Sequence, residues 1–182
     1  MKRSKILKPL ILTIVAFAII VGCISIFKGP SFIFVKYYYY NGYSKQKSKD
    51  LQGAIEDFTT VLGYDKAHTT SYISRGSAYL DLKKYKEAIA DYSEAIKQTP
   101  DDAKPYAYRG RAYYELTDTL KSLDDYNRAI SLDSNYDYAY YNRGLLKYTL
   151  MNDEAGGCAD LKTALNLGMI EAKDLLEKGN CE

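Results

Sequence analysis

Hydrophobic and polar residues follow two different patterns along the chain. Residues 9–27 carry no charged side chain and come directly after a basic stretch, residues 1–8. In the remainder, apolar residues recur at the spacing of a helix; Ala88, Tyr92 and Ala95, for example, would share one helix face. The first pattern predicts a transmembrane helix, and the second predicts an all-α body.

The helical body repeats with a period of 34 residues, which is the spacing between four glycines: Gly42, Gly76, Gly110 and Gly144. In the first three copies, a small residue stands twelve positions after the glycine and an aromatic residue stands sixteen positions after it. Glycine within a helix costs up to about 1 kcal/mol relative to alanine, so we expect another backbone to pass too close for a side chain. Each copy is predicted to form two antiparallel helices that are stabilised by stacking on neighbouring copies.

This pattern resembles the tetratricopeptide repeat family, whose helix pairs stack into an α-solenoid. The second copy, YISRGSAYLDLKKYKEAIADYSEAIKQTPDD, matches the family signature nearly throughout, whereas the third carries Ser122 and Ser134 at the alanine and proline positions. The first and fourth copies are degenerate, and CADLKTALNLG in the fourth lies one residue late, which indicates an insertion within LMNDEAGG. The resemblance covers about residues 35–168 and implies a protein–protein interaction scaffold.

The two patterns predict how the chain is organised. The expected parts are a basic N-terminus (1–8), a transmembrane signal-anchor (9–27), a linker (28–34), four repeats (35–68, 69–102, 103–136 and 137–168), and a capping helix with its tail (169–182). In that last part, Ile170, Ala172, Leu175 and Leu176 should lie on one face and pack on the final repeat.

The uncharged segment 9–27 has three interpretations. As a helix it would span roughly 28 Å, close to the hydrocarbon thickness of a bilayer, whereas a cleaved secretory signal usually has a shorter apolar core. Ile20-Val21-Gly22-Cys23 resembles the lipobox of bacterial lipoproteins, in which Cys23 would carry the lipid, but the residues that follow stay apolar. We favour the uncleaved anchor. Either anchor places the body outside the cytoplasm, because the basic flank stays inside.

Charge and the scarcity of reactive groups exclude several functions. Residues 1–49 carry nine Lys or Arg and no acid, whereas residues 50–182 carry 16 basic and 23 acidic side chains, a net charge of −7. The body therefore lacks the cationic cluster that nucleic-acid binding requires. His68 is the only histidine, and no triad, phosphate loop or metal-ligand pattern surrounds it. We expect no enzyme activity, no cofactor, no metal and no small-molecule substrate.

The resemblance implies a binding groove on the concave side of the solenoid, lined by the first helix of each repeat. Tyrosines contribute to it from the stretch YYYYNGY onward. The expected groove residues are Tyr39, Tyr43, Thr70, Ile73, Ser77, Lys104, Ala107, Arg111, Tyr138, Tyr141 and Leu145. Some family members hold chaperone C-termini in a two-carboxylate clamp, but in the clamp columns of this chain only Lys104 matches. We therefore expect an aromatic groove for a peptide or a partner helix, with an inert spacer as the alternative.

Other recurring residues are predicted to be structural. An arginine before each of the last three glycines could grip an acidic ligand, but we favour pairing with an aspartate of its own or the preceding repeat. These residues are Arg75, Arg109 and Arg143 with Asp57, Asp91, Asp125 and Asp160, and one further column, Tyr72, Tyr106 and Tyr140, should pack in the core. Cys158 and Cys181 are predicted to form a disulfide that pins the capping helix, since an extracytoplasmic compartment permits one; otherwise Cys158 is a small buried residue.

Overall fold

The computed structural model describes residues 32–179 and 181, and every regular element in this part of the chain is an α-helix. Helix α1 covers residues 32–47. The others are α2 (Leu51–Tyr64), α3 (Thr69–Asp81), α4 (Tyr85–Gln98), α5 (Ala103–Glu115), α6 (Thr119–Leu132), α7 (Asp137–Leu150), α8 (Glu154–Asn166) and α9 (Ala172–Lys178). Each helix packs mainly on its neighbours in sequence, so the fold is an α-solenoid of helix pairs.

The expected membrane segment, residues 9–27, and Cys23 lie outside the described residues. Among the helices that the structure does describe, none has the length and apolar character needed to cross a bilayer.

The turn between the two helices of each pair has a recurring backbone conformation. Lys49, Lys83 and Thr117, spaced 34 residues apart, have a positive φ, and the matching residue in the fourth pair is Asn152, one position later. Helix α7 has 14 residues where α5 has 13, which accounts for this shift. The late register of the fourth repeat is therefore confirmed.

The sequence predicts that another backbone lies against the recurring glycines, but in the first three pairs an aromatic ring lies there instead. A methyl group built on Gly76 would lie 2.8 Å from the ring of Tyr92, and Gly110 has the same relation to Tyr126 at 2.9 Å. These rings are fully buried, as is Phe58 beside Gly42. Only the fourth pair shows the expected backbone approach. There Leu161 replaces the ring, and a methyl group on Gly144 would lie 3.0 Å from the carbonyl oxygen of Gly157.

The tyrosine column of the first helices is only half-buried, because its rings lie at the seam between repeats. The Tyr106 ring packs on the core around Tyr126, while its hydroxyl donates to the Pro100 carbonyl oxygen at 3.2 Å. The guanidinium of Arg109 lies over the same ring, 5.8 Å from its centroid. These tyrosines, Tyr72, Tyr106 and Tyr140, thus support the arginines as well as the core.

Helix α9 closes the C-terminal end of the solenoid. Ala172 is fully buried against Leu161 and Ala164, and Leu175 and Leu176 pack on the same cluster. The expectation for Ile170 is wrong, since this residue precedes α9 and is 75% exposed.

Gly76→Ala should lower the free energy of unfolding by about 1 to 3 kcal/mol, because the new methyl group overlaps the buried Tyr92 ring. Gly63→Ala, in helix α2, is the matched control: no atom lies within 4 Å of the place its methyl group would occupy, so alanine should stabilise the fold by up to about 1 kcal/mol. Urea unfolding followed by circular dichroism measures both. Equal effects of the two substitutions would contradict the ring contact.

Candidate functional site

A groove runs across the first helices of the second, third and fourth pairs. Its volume is about 370 Å³. We call it the inner groove; it is lined by Leu80, Asp81, Lys83, Tyr85, Arg111, Glu115 and Tyr138. A second depression of about 300 Å³, lined partly by Tyr43 and Lys47 of α1, shares Asp81 with it. The two together form a surface that extends from the first to the fourth helix pair.

Tyr85, Tyr138 and Leu80 make the apolar wall of the inner groove, and further tyrosine rings pack behind Tyr138. Tyr138 meets Tyr108 edge to face with ring centroids 5.3 Å apart, and Tyr108 lies 5.7 Å from the buried Tyr92. Burial raises the pKa of Tyr138 to about 12, so its hydroxyl stays protonated at neutral pH. Such a wall offers flat apolar surface with hydrogen-bonding tips.

A polar network built on Arg111 and Glu115 also lines the inner groove. Arg111 donates to Glu115 Oε1 through Nε at 2.9 Å and Nη2 at 2.6 Å, and its Nη1 donates to Asn142 Oδ1 at 3.3 Å. The Tyr85 hydroxyl donates to the other carboxylate oxygen of Glu115 at 3.3 Å. Because these side chains already hold one another, little conformational entropy would be lost when a ligand binds.

Three of the sequence-predicted groove residues line this surface: Tyr43, Arg111 and Tyr138. Thr70 and Lys104 are exposed at the starts of α3 and α5. Three more are half-buried in the first two pairs. Tyr39 packs near Phe58 and His68, Ile73 packs on the Tyr92 cluster, and Ser77 lies on α3.

The remaining three predicted residues do not face open groove. Ala107 is fully buried in the cluster that contains Tyr126, because its methyl group is too short to reach past the neighbouring rings. Tyr141 packs on the core beneath α9, and Leu145 lines a small cavity there together with Leu175. The capping helix therefore occupies the end of the surface where the sequence predicted an open tyrosine.

Asp81, Tyr85 and Glu115 were missed in the sequence as groove residues. Lys47, Asp81 and Glu115 are spaced 34 residues apart, one turn beyond the columns that were considered. The same period, followed to the end of each first helix, predicts Asp81 and Glu115 but not Tyr85, which begins the second helix α4.

The arginines form a ladder within the solenoid, as the structural interpretation predicted. Arg109 donates to both carboxylate oxygens of Asp125 at 2.8 Å, and its Nη1 donates to Ser93 Oγ of the preceding repeat at 3.0 Å. Arg75 bridges Asp91 and Thr59 in the same way. In the fourth pair, Arg143 joins Asp160 to Asn127. Each arginine thus ties its own helix pair to the one before it.

Lysines complete the ladder where the repeats are degenerate. The first repeat has no arginine beside its glycine, and Asp57 pairs instead with Lys45 at 2.8 Å. Lys147, which stands in the same column as Lys45, adds a second cation to Asp160 at 2.8 Å. The second and third repeats have Tyr79 and Tyr113 in this column, so lysine replaces tyrosine only in the first and fourth repeats, where it pairs with the aspartate.

Burial affects the pKa values of the aspartates that pair with these arginines. It raises the pKa of Asp91 and of Asp125 above the ordinary value, and the guanidiniums of Arg75 and Arg109 oppose that rise. A carboxylate with so little access to water depends on its arginine to remain charged. This leaves the arginines committed within the fold and not available for an acidic ligand.

The two predicted cysteines lie together at the C-terminal end. Cys158 of α8 and Cys181 are joined in a disulfide, with their Cα atoms 5.4 Å apart. The bond connects the chain after α9 to the last helix pair. Among the described residues, no group of His, Cys, Asp or Glu could hold a metal ion; the His68 Nδ1 contacts Ser71 Oγ at 2.8 Å.

Comparisons with known proteins agree with this geometry. The family model described as TPR repeat matches residues 76–116. The crystal structure of MamA protein is similar with a TM-score of 0.66 at 22% identity, over 80% of this chain and 86% of that one, which shows the fold alone. A comparison with curated proteins finds no match.

Two structures of the protein RPAP3 are also similar, each at 25% identity and a TM-score of 0.62. One is the first TPR of Spaghetti (RPAP3) bound to HSP90 peptide SRMEEVD, and it covers 64% of this chain and 93% of that one. The other is the second TPR domain of human RPAP3 in complex with HSP70 peptide SGPTIEEVD, over 64% and 98%. The findings support the tetratricopeptide repeat family. In this chain, arginine occupies the column beside each of the last three of the four recurring glycines.

Arg109→Ala should cost about 3 kcal/mol or more of unfolding free energy at neutral pH, because it leaves the buried Asp125 carboxylate without its cation. The folded-state pKa of Asp125 is already raised and should rise further. When the pKa of a carboxyl is higher in the folded state than in the unfolded state, the folded state loses stability at pH values above the unfolded-state pKa. This loss disappears as the pH falls and the carboxyl is protonated in both states. The deficit should therefore be smaller at mildly acidic pH than at neutral pH.

Urea unfolding at the two pH values measures this difference. Lys97→Ala is the control, since its pair with Glu94 is exposed and should contribute at most about 1 kcal/mol. An Arg109→Ala deficit that does not depend on pH would show that Asp125 is not the group left unpaired.

Proposed function

We propose that this protein is a membrane-tethered tetratricopeptide scaffold outside the cytoplasm that binds a peptide or a partner helix in its inner groove. The observation that carries the proposal is the groove itself, with Tyr138 and Tyr85 as rigid apolar contacts beside the fixed Arg111–Glu115 pair. The RPAP3 domains, which share the fold, are bound to peptides, and this supports peptide binding as the role of the surface. We propose no enzymatic activity and no cofactor.

The partner we propose is not an acidic C-terminal tail. The peptides bound to RPAP3 end in EEVD. In this chain, Asp81 and Glu115 line the groove, and its arginine is already paired with Glu115. Lys83 also lines the groove, so its charges are mixed, and a segment with apolar side chains would fit the tyrosine wall.

The proposed tether is the uncharged segment 9–27, with residues 1–8 in the cytoplasm and the four repeats on the other side. The disulfide between Cys158 and Cys181 supports an oxidising compartment, because such bonds are rare in the cytoplasm. A lipoprotein assembly factor anchored through Cys23, and a structural spacer with an inert groove, are the alternatives that the two experiments below distinguish.

The groove is tested by selecting a peptide from a display library on the full-length protein in detergent. Tyr43→Ala combined with Asp81→Arg should weaken binding of the selected peptide by about tenfold or more, since Asp81 lines both depressions and reversing its charge alters the inner groove as well. Both side chains are exposed, so the melting temperature should stay unchanged. The control Glu87→Arg, exposed on α4, should bind as the natural chain does.

The peptide SGPTIEEVD serves as the acidic comparison and should bind more weakly than the selected peptide. If the library yields no peptide above background, the spacer alternative replaces the binding scaffold. If the double variant stays folded and keeps full affinity, the inner groove is not the binding site.

The tether is tested by mass spectrometry of the protein isolated from membranes. We expect residues 9–27 to remain on the mature chain as an uncleaved anchor, because the apolar run continues beyond Cys23 up to Lys28. A mature chain that begins at Cys23 and carries acyl groups would establish the lipoprotein instead. Recovery of the protein only in the soluble fraction would exclude both tethers.

A further inference from the structure

The N-terminal end of the solenoid differs from every junction between repeats. Ser71, Pro105 and Ala139 share one column of the first helices and are fully buried. Ala139 packs in the same cluster as Tyr126 and Ala129 of the preceding pair, so a small side chain here lets the preceding pair approach. In the first pair the same column holds Tyr37, which is 60% exposed. No helix pair among the described residues covers it.

The exposed end carries a cluster of large apolar side chains on both helices of the first pair. Ile33, Tyr37 and Tyr40 follow one another at i, i+4 and i+7 on α1 and are 48%, 60% and 58% exposed. Beside them, Phe34 stacks on Tyr64 at the end of α2, with ring centroids 5.5 Å apart. We call these five residues the N-terminal aromatic face.

This face contrasts with the opposite end of the solenoid. There, α9 turns Ala172 inward and exposes charged side chains, including Lys173, Asp174 and Glu177. Terminal repeats of a solenoid need a polar outer surface to stay soluble. The N-terminal aromatic face lacks one, and apolar patches of this kind mark surfaces that contact a partner or a membrane.

We propose that the N-terminal aromatic face docks on the lipid surface of the membrane to which the chain is tethered, with its tyrosines at the level of the headgroups. The proposal rests on the tether described under Proposed function. Tyrosine is enriched at membrane–water interfaces, because its ring prefers the apolar side and its hydroxyl prefers water.

Chain connectivity places this face at the bilayer. Only five residues lie between the end of the uncharged segment, Phe27, and Ile33, so the two Cα atoms can be at most roughly 20 Å apart. Residues 28–40 carry Lys28 and Lys36 and no acidic residue, which favours the anionic headgroups of a membrane over the acidic surface of residues 50–182. A lipid surface therefore fits the position, the side chains and the charge of this end better than a second copy of the chain does.

Tryptophan fluorescence tests the docking, since the natural chain contains no tryptophan. The full-length variants Tyr37→Trp and Ile170→Trp are reconstituted in vesicles of phosphatidylcholine with a minor share of phosphatidylglycerol, with or without bromine on the acyl chains. Both sites are exposed, and Ile170 lies at the opposite end of the solenoid. We expect Tyr37→Trp to emit at shorter wavelength and to lose most of its fluorescence in brominated vesicles, and Ile170→Trp to be unaffected.

Flotation of the same vesicles separates this proposal from the tether. If the protein does not float with the vesicles, the tether fails and the docking fails with it. If it floats but the tryptophan of Tyr37→Trp escapes quenching, the tether stands and the docking is overturned. A blue-shifted emission without quenching would mean that protein covers the face, either a second copy or residues 1–31, and this also overturns the proposal.

Discussion

The contact between one buried ring and one glycine sets the geometry of each of the first three helix pairs. Tyr126 fills the space that a side chain on Gly110 would need, so the two helices can approach only in one register. That register puts Arg109, the residue beside the glycine, opposite Asp125 and within reach of Ser93 in the preceding repeat. The ladder is therefore a consequence of the ring contact, and it transmits the geometry of one pair to the next.

The ladder and the inner groove use different faces of the same helices. On α5, Arg109 points to the seam between repeats, whereas Tyr108 and Arg111 contribute to the groove side through Tyr138 and Glu115. Fixing one face by buried ion pairs fixes the other, because the helix moves as a unit. The groove is thus held in shape by the fold itself, which would lower the entropy cost of binding a partner there.

The two ends of the solenoid are finished by different means. At the C-terminus, the short helix α9 covers Leu161, and the disulfide between Cys158 and Cys181 holds the chain that follows it. At the N-terminus, no polar helix covers the aromatic residues of the first pair among the described residues. The two end surfaces of the solenoid therefore differ: the C-terminal end is capped and polar, and the N-terminal end is apolar. This difference agrees with the proposal that the N-terminal end faces a membrane.

The repeat period, the paired helices and the arginine–aspartate pairs could be derived from the sequence by itself. These features depend on local spacing: residues 34 apart share an environment, and Arg109 and Asp125 each stand next to one of the two residues, Gly110 and Tyr126, at which the paired helices meet. The one-residue delay in the fourth repeat was equally readable, because it displaces a whole column.

Only the tertiary structure decided which members of a column reach solvent. Ala107, Tyr141 and Leu145 stand in the groove columns, but the first is shorter than its neighbouring rings and the other two meet the C-terminal cap. The prediction for the recurring glycines failed for a similar reason. The sequence indicates that there is no room for a side chain at these positions, but it does not show that a ring occupies the space. A column fixes where a side chain starts. What it touches depends on the neighbouring element, and that neighbour changes at the two ends of the solenoid.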